Sequence, residues 1–251
     1  MTMIALFDSG NSRLHFGWWV DGSVSEAVSI PYPESPALLD GTIDRLVGNR
    51  TVEKAAACSV NSRWRERLFT VLRDRIPGGL RVAVTAADIG LSVRYDNRSS
   101  YGIDRALAAF AAYRRYGDSC VVIDVGTAAT VDAVAGDGSV AGGYIFPGAP
   151  ALSQCLSGVT DLPSVTSGGY SEGIGVSTGS CMIYGISMGL AGAIERLVGF
   201  AEKTVGSDGR IMMTGGGAQA LMTLLPFTPE FRPYLVLEGL GLALDTLPKY
   251  A

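Results

Sequence analysis

Short apolar stretches, some alternating and some unbroken, punctuate the chain twice in the same way. Residues 3–8 (MIALFD) are an apolar run closed by a carboxylate and followed closely by Gly10, which predicts a buried strand and a tight turn. Residues 12–20 (SRLHFGWWV) alternate well enough for a second strand, and Asp21-Gly22 predicts a hairpin into a third over 23–30. A Pro-rich loop, a helix over 37–47 and a strand over 54–60 come next. Residues 63–75 then read as an amphipathic helix, with Trp64, Leu68, Val71 and Leu72 as its apolar stripe and Arg63, Arg65, Arg67, Arg73 and Arg75 as its wet face. A strand over 80–84 and a polar, irregular stretch over 92–101 lead to a helix over 103–116, ended by Gly117.

The second half restarts the pattern. CVVIDVG (120–126) is again a hydrophobic strand ending in Asp-x-Gly, 130–134 continues as a strand, and Asp137-Gly138 turns into another over 139–145. Helices are expected over 149–156 and 179–204, then a strand over 210–214, a Gly-rich turn, a helix from Ala218, a short strand over 234–237 and a last helix from Leu240. Sliding the chain by 116 residues lays Asp8 on Asp124, Gly10 on Gly126, and Asp21-Gly22-Ser23-Val24 on Asp137-Gly138-Ser139-Val140, six identities in eighteen without a gap. A duplicated β-β-β-α unit explains this better than chance likeness between two hairpins. The division predicted is a first lobe over 1–117 and a second over 118–251.

Composition narrows the class. Hydrophobic residues are 47% and charged ones 18% of 251, enough to bury a large core. A net charge of −4 and a pI near 5.1 argue against a nucleic-acid surface. Cys58, Cys120, Cys155 and Cys181 form no C-x-x-C pair and His15 is the only histidine, so a Cys/His zinc site is not expected; widely spaced thiols fit a reducing, cytoplasmic setting. The N-terminus has no basic n-region before an apolar run, so no signal peptide is expected. Residues 173–194 carry no charge and are long enough to span a bilayer, but six glycines dilute them; the expectation is a loop and a buried helix, with no membrane span.

The two Asp-x-Gly turns carry the chemistry. Glycines and small hydroxyl or amide residues let backbone N–H groups approach phosphate oxygens, and an aspartate at a strand end can reach a cation or its water. Asp8-Ser9-Gly10-Asn11-Ser12 offers this once, and Asp124-Val125-Gly126-Thr127 offers it again. One such turn says little; two in register point to a pair that binds a nucleotide triphosphate. No G-x-x-x-x-G-K-[ST] or G-x-G-x-x-G is present, so P-loop and Rossmann readings lack support. Gly102-Ile103-Asp104-Arg105 opens the helix over 103–116. Asp104 there is either an ordinary helix-start carboxylate or the group that accepts a proton from an alcohol, and Arg105 can pair with an anion through its planar fork.

With these residues in place the chain resembles the type III pantothenate kinase family over nearly its whole length. The family's motifs stand in order as Asp8-Ser9-Gly10-Asn11-Ser12 through Gly17, Gly102-Ile103-Asp104-Arg105, Asp124-Val125-Gly126-Thr127-Ala128-Ala129-Thr130, Gly142-Gly143-Tyr144-Ile145-Phe146-Pro147-Gly148, and Thr214-Gly215-Gly216-Gly217-Ala218. The resemblance implies an α/β fold of duplicated actin-like (ribonuclease H-like) βββαβαβα lobes around an ATP cleft. It implies transfer of the ATP γ-phosphoryl group to the 4′-hydroxyl of pantothenate, the first step of coenzyme A synthesis, with Asp104 as the base. It implies ATP contacts at Asp8, Ser9, Gly10, Asn11, Ser12, Arg13, Leu14, His15 and Thr127, with Mg²⁺ on the nucleotide. Asp124 would hold a monovalent cation, potassium or ammonium. Tyr95, Gly102, Ile103, Asp104, Arg105 and Thr178 would bind pantothenate, in a pocket completed by the partner of a cytoplasmic homodimer.

Some positions stay open. Asn97-Arg98 stands where members often carry Asn-Pro, which leaves the shape of that loop unsettled, and Ser12 replaces the commoner Thr. The alternation makes His15 a half-exposed strand residue as readily as a phosphate contact. Gly185, Gly189 and Gly192 recur at helical spacing, which suits close packing within one subunit or a helix contact between two. A sugar kinase or exopolyphosphatase on the same fold, and a nucleotide-binding regulatory protein without catalysis, are the rival functions.

Overall fold

The structure, a computed structural model, describes residues 3–76, 78–165 and 170–250. The chain divides into two compact units, Met1–Arg114 with Tyr234–Ala251, and Arg115–Pro233.

In the first unit, β1 (Ile4–Ser9) lies at the centre of a five-stranded sheet with β2 (Arg13–Val20), β3 (Ser23–Pro31), β4 (Ala55–Ser59) and β5 (Leu80–Ala83), in the order β3-β2-β1-β4-β5. β1 pairs antiparallel with β2 and parallel with β4. Strands covered on both faces read as unbroken apolar runs, and β4 is buried at all five positions. Asp21 and Gly22 both take positive φ in the β2–β3 turn, the conformation two-residue hairpins favour. One face of the sheet carries Phe7, Phe16 and Trp18 under α1 (Leu39–Val47) and α2 (Ser62–Arg75), with Ile43, Trp64, Leu68 and Leu72 closing the core. Full burial stabilises each such side chain by about 1.5–3 kcal/mol. The expected wet face of α2 is partly tied down, since Arg67 and Arg75 pair with Asp40, and Arg75 also with Asp44.

The C-terminal segment departs from the sequence reading. Residues 234–237 were expected as a strand; instead α7 (Leu235–Leu242) begins there, and the strand is β10 (Glu230–Phe231). A four-residue apolar run cannot by itself separate a strand from a buried helix. α7 packs on β1, β2, β3 and β4, so these residues join the first unit and not the lobe over 118–251. Its glycines allow this approach: a Cβ on Gly239 would stand 2.2 Å from the Leu107 carbonyl, and one on Gly241 would stand 2.2 Å from the Trp19 ring. Leu107 belongs to α3 (Ile103–Tyr116), whose apolar face is mostly alanine. The chain end pairs along β5, with Tyr250 N donating to Leu80 O and Val82 N to Pro248 O.

The second unit repeats the plan. β6 (Cys120–Val125), β7 (Ala128–Val134), β8 (Val140–Pro147), β9 (Ile211–Thr214) and β10 are ordered β10-β9-β6-β7-β8, the same arrangement as the first sheet. Asp8 faces Cys58 across the parallel β1–β4 pair, and Asp124 faces Thr214 across the parallel β6–β9 pair. The two aspartates therefore hold equivalent places in duplicated actin-like sheets. α5 (Thr178–Val205) packs on β6, β7 and β8, and α4 (Ala149–Val159) on α5 and β8; the short α6 (Ala218–Leu221) follows β9.

α5 is the one helix among the described residues long and apolar enough to cross a membrane. The expectation of a buried helix holds for one face only. Leu190, Ile194 and Val198 are buried on the sheet, whereas Met188 and Phe200 are each 47% exposed. Gly185, Gly189 and Gly192 have open space among the described residues where a Cβ would point, so close packing against those residues does not explain them.

Candidate active site

Asp8 closes β1, and the following turn returns to β2 through a hydrogen bond from Gly10 N to Arg13 O at 3.0 Å. Asp8 is buried, and the Cys58 thiol donates to its Oδ1 at 3.4 Å. Burial pushes the Cys58 thiol well up, and the charges of Asp8 and, more weakly, Asp104 push it the same way. Both carboxylates therefore act on one buried thiol at this end of the first sheet.

The rest of the turn divides by side-chain direction. Asn11, Ser12 and Arg13 are exposed, and Arg13 lies across β3 onto Ser29. Ser9 is fully buried, its hydroxyl within hydrogen-bond distance of Tyr32 and Ser59. Leu14 puts its side chain into the core, turned away from the turn. His15 is half-buried, with Nε2 3.8 Å from where a Cβ on Gly10 would be. Burial, and then the Arg13 charge, lower its pKa below the ordinary histidine value, so the ring is neutral at pH 7.

Asp104 lies in the first turn of α3, where free N–H groups favour a carboxylate. Its Oδ1 accepts the Arg105 N–H at 2.7 Å. Burial raises its pKa above the usual aspartate value, opposed by that N–H and by the Arg105 charge. Gly102 makes the arrangement possible: a Cβ there would stand 2.6 Å from Asp104 Oδ1. Arg105 is itself buried and lies over the Tyr101 ring at 4.6 Å. Tyr101 in turn meets Tyr95 edge to face, with centroids 5.1 Å apart. The structure so brings Tyr95, Gly102, Asp104 and Arg105 into one cluster around a buried ring, Tyr101, that the motif did not single out.

In the second unit Asp124 is half-buried at the end of β6, and Thr127 is exposed in the turn after it. Two Gly-rich segments close on this turn. Gly148 N donates to Thr127 O at 3.0 Å, and a Cβ on Gly148 would collide with Gly126 O at 2.1 Å. Gly217 N donates to Val125 O at 2.9 Å, and Gly215, at φ 96°, would put a Cβ 2.4 Å from Asp124 Oδ1. Three of the five sequence motifs thus meet at one turn. Asp124 Oδ1 and the Val125 carbonyl both border the space beside Gly215, and oxygens of this kind suit a hard cation better than a soft one. No cluster of three or more His, Cys, Asp or Glu able to hold a metal occurs among the described residues.

Thr178 is exposed at the first position of α5, whose N-cap is Ser177 in a reciprocal pair with Ser180. It opens onto a groove of about 630 Å³ between α4, α5 and the end of β8, lined by Phe146, Leu152, Leu156, Met182 and Ile186 among others. Cys58 is read from the sequence only as one of four widely spaced thiols, and Tyr32, Asn61 and Tyr101 are not singled out there at all. Only the parallel β1–β4 pairing could have pointed to Cys58, and only its place beside Gly102 to Tyr101.

Residues 4–199 match the family model for type III pantothenate kinase. A type III pantothenate kinase of Alkalilimnicola ehrlichii is 35% identical over 94% of this chain and 95% of its own length. One from Xanthomonas campestris is 32% identical over 94% and 95%. Among solved structures, a Campylobacter jejuni protein described as a candidate Baf family transcriptional activator superposes with a TM-score of 0.63 at 20% identity, covering 96% of this chain and 97% of its own. At that identity the likeness speaks to the fold alone.

Proposed function

This chain belongs to the type III pantothenate kinase family, enzymes that use ATP to phosphorylate pantothenate in coenzyme A biosynthesis, and from that premise we propose how its residues divide the work. Asp104 is the general base. It accepts the proton of the pantothenate 4′-hydroxyl as that oxygen attacks the γ-phosphorus, and the bond to the bridging oxygen breaks to release ADP. The observation that carries this role is a carboxylate raised by burial yet held by its own helix's N–H behind Gly102. A base with a raised pKa takes a proton more readily than an ordinary aspartate.

The exposed Asn11, Ser12 and Thr127 and the turns that carry them take the nucleotide phosphates, with Asp8 near the Mg²⁺ that travels on ATP. Asp124 holds a monovalent cation, potassium or ammonium, which would supply positive charge beside the phosphates. Tyr95, Arg105 and Thr178 bind pantothenate, Arg105 through its anionic end. A homodimer in the cytoplasm suits the open glycines and exposed Met188 and Phe200 along α5, which a second copy would cover.

The test is a coupled assay of the purified protein with pantothenate, ATP, Mg²⁺ and potassium, with the product identified by mass. Phosphopantothenate made with wild-type protein and lost with Asp104→Asn supports the assignment. Tight ATP binding without turnover of pantothenate would favour a regulatory nucleotide binder instead. Light scattering on the eluting protein reports the oligomeric state, and a monomer would remove the dimer.

A further inference from the structure

The turn at 9–12 is held from behind by three side chains that come from separate elements. Tyr32 follows β3, Ser59 ends β4, and Asn61 is the N-cap of α2. The Tyr32 hydroxyl lies 2.7 Å from Gly10 O and 2.7 Å from Ser9 Oγ, and Ser59 Oγ lies 3.0 Å from Ser9 Oγ. A carbonyl can only accept. The single phenolic proton therefore goes to Gly10 O and Ser9 donates to the phenolic oxygen, which leaves Ser9 Oγ to accept from Ser59, whose hydroxyl also has Asn61 O within 3.2 Å. The run has one direction and ends on the turn.

Asn61 adds a second hold. Its Oδ1 accepts the Arg63 N–H and caps α2, which leaves Nδ2 to donate to Asn11 O at 3.0 Å and more weakly to Gly10 O at 3.4 Å. Both carbonyls of the turn are thus drawn to the same side. In a trans peptide the C=O and the following N–H point in opposite directions. Fixing the carbonyls of Gly10 and Asn11 therefore fixes the N–H groups of Asn11 and Ser12 toward the other side. Outward N–H groups of a turn are what an anion such as a phosphate needs. The Tyr32 ring is stacked on Trp64 at 4.6 Å and 6°, so the ring is held independently of its hydroxyl. Burial pushes the phenol up to about 12, and it stays protonated under working conditions.

We propose that Tyr32 and Asn61 are positioning residues for nucleotide binding, which aim the Asn11 and Ser12 N–H groups by anchoring the carbonyls behind them. The proposal rests on the assignment of this turn to the ATP phosphates. Neither residue touches the nucleotide, and neither forms part of any of the five motifs.

Two variants of the full chain test it. Tyr32→Phe removes the hydroxyl and keeps the stacked ring, and Asn61→Ser keeps a capping oxygen for α2 but loses the amide donor. Each is expected to raise the KM for MgATP about 3- to 10-fold, the worth of one hydrogen bond, and to leave the KM for pantothenate within about twofold. Calorimetric titration with a non-hydrolysable ATP analogue should show the same loss. An unchanged ATP KM and analogue affinity in Tyr32→Phe overturns the proposal. So does a parallel rise of both KM values with a lowered Tm, which marks a purely structural role. Wild-type protein inactive on pantothenate would instead sink the kinase reading, and the analogue titration would still decide whether Tyr32 aims the turn.

Discussion

Gly102 and Asp104 occupy one another's space: a Cβ at 102 would stand 2.6 Å from Oδ1 of the aspartate. The conflict involves the end of a flexible side chain and no backbone atom that close. Alanine at 102 should therefore spare the fold and displace the carboxylate. Gly102→Ala is expected to lower kcat by about 10- to 100-fold, as a misplacement near 1 Å does, while Tm changes by no more than a few degrees. Steady-state kinetics beside a thermal melt checks this. A wild-type kcat would mean that the present position of the carboxylate is not the catalytic one.

Removing the charge of Asp104 should separate catalysis from stability. Asp104→Asn is expected to cut kcat by about 10²- to 10⁴-fold, the usual worth of a general base. Its effect on stability has the opposite sign. A carboxyl whose folded pKa is raised favours the folded state most at pH values below its unfolded pKa, about 3.9, and that contribution is lost as pH rises through the folded pKa. At pH 7 the ionised group therefore burdens the fold, because desolvation outweighs Arg105. The variant should melt at or above the wild-type temperature at pH 7, and the difference should close as the solution is acidified. A variant that melts well below wild type at pH 7 would show that the charge is needed by its buried neighbour Arg105.

The same shift sets the acid side of the rate profile. A base must be ionised, so kcat/KM should fall as pH drops through the raised pKa of Asp104, at a higher pH than an ordinary aspartate gives. A profile from pH 4 to 8, taken on kcat/KM for pantothenate, checks the order. An acid limb at or below the ordinary aspartate value would contradict the burial of the base.

Much of this was legible in the chain because the fold is written twice. Asp8 and Asp124 end equivalent strands, each followed by the same turn and hairpin, and the repeat survives as matching sheet orders. Residues 234–237 misled because an all-apolar run carries no period, and the surface that α7 needs lies over two hundred positions away, at Gly17 and Trp19. The supports of the first turn were hidden for a related reason. Cys58 reaches Asp8 across 50 positions and Tyr32 reaches Gly10 across 22. A strand pairing or a chain reversal makes those meetings, and no local spacing records either. The open glycines of α5 were visible as a pattern, but only their surroundings could say that none of the described residues fills the space beside them.

The second unit offers the sharpest contrast between a turn that is built and one that is merely near. A Cβ on Gly148 would meet the Gly126 carbonyl at 2.1 Å, backbone against backbone, so Gly148→Ala must move the turn that carries Thr127. Gly215 meets the Val125 carbonyl at 2.5 Å and, unlike Gly148, also the Asp124 carboxylate at 2.4 Å, and its φ of 96° adds strain for any other residue. The two substitutions should therefore fail differently. Gly148→Ala is expected to raise the KM for MgATP by about 10-fold or more, with little change in the cation needed, since a 1 Å shift of a binding group costs on that order. Gly215→Ala is expected to raise the potassium concentration for half-maximal rate, because the displaced group is the proposed cation ligand. It should also lower Tm, since a residue held in a sparsely populated backbone region costs about 1–3 kcal/mol. Titrating potassium at saturating ATP, and ATP at saturating potassium, for both variants separates the outcomes. Equal shifts in both titrations for both variants would mean that Asp124 and Thr127 serve one ligand, and the separate cation role of Asp124 would fall.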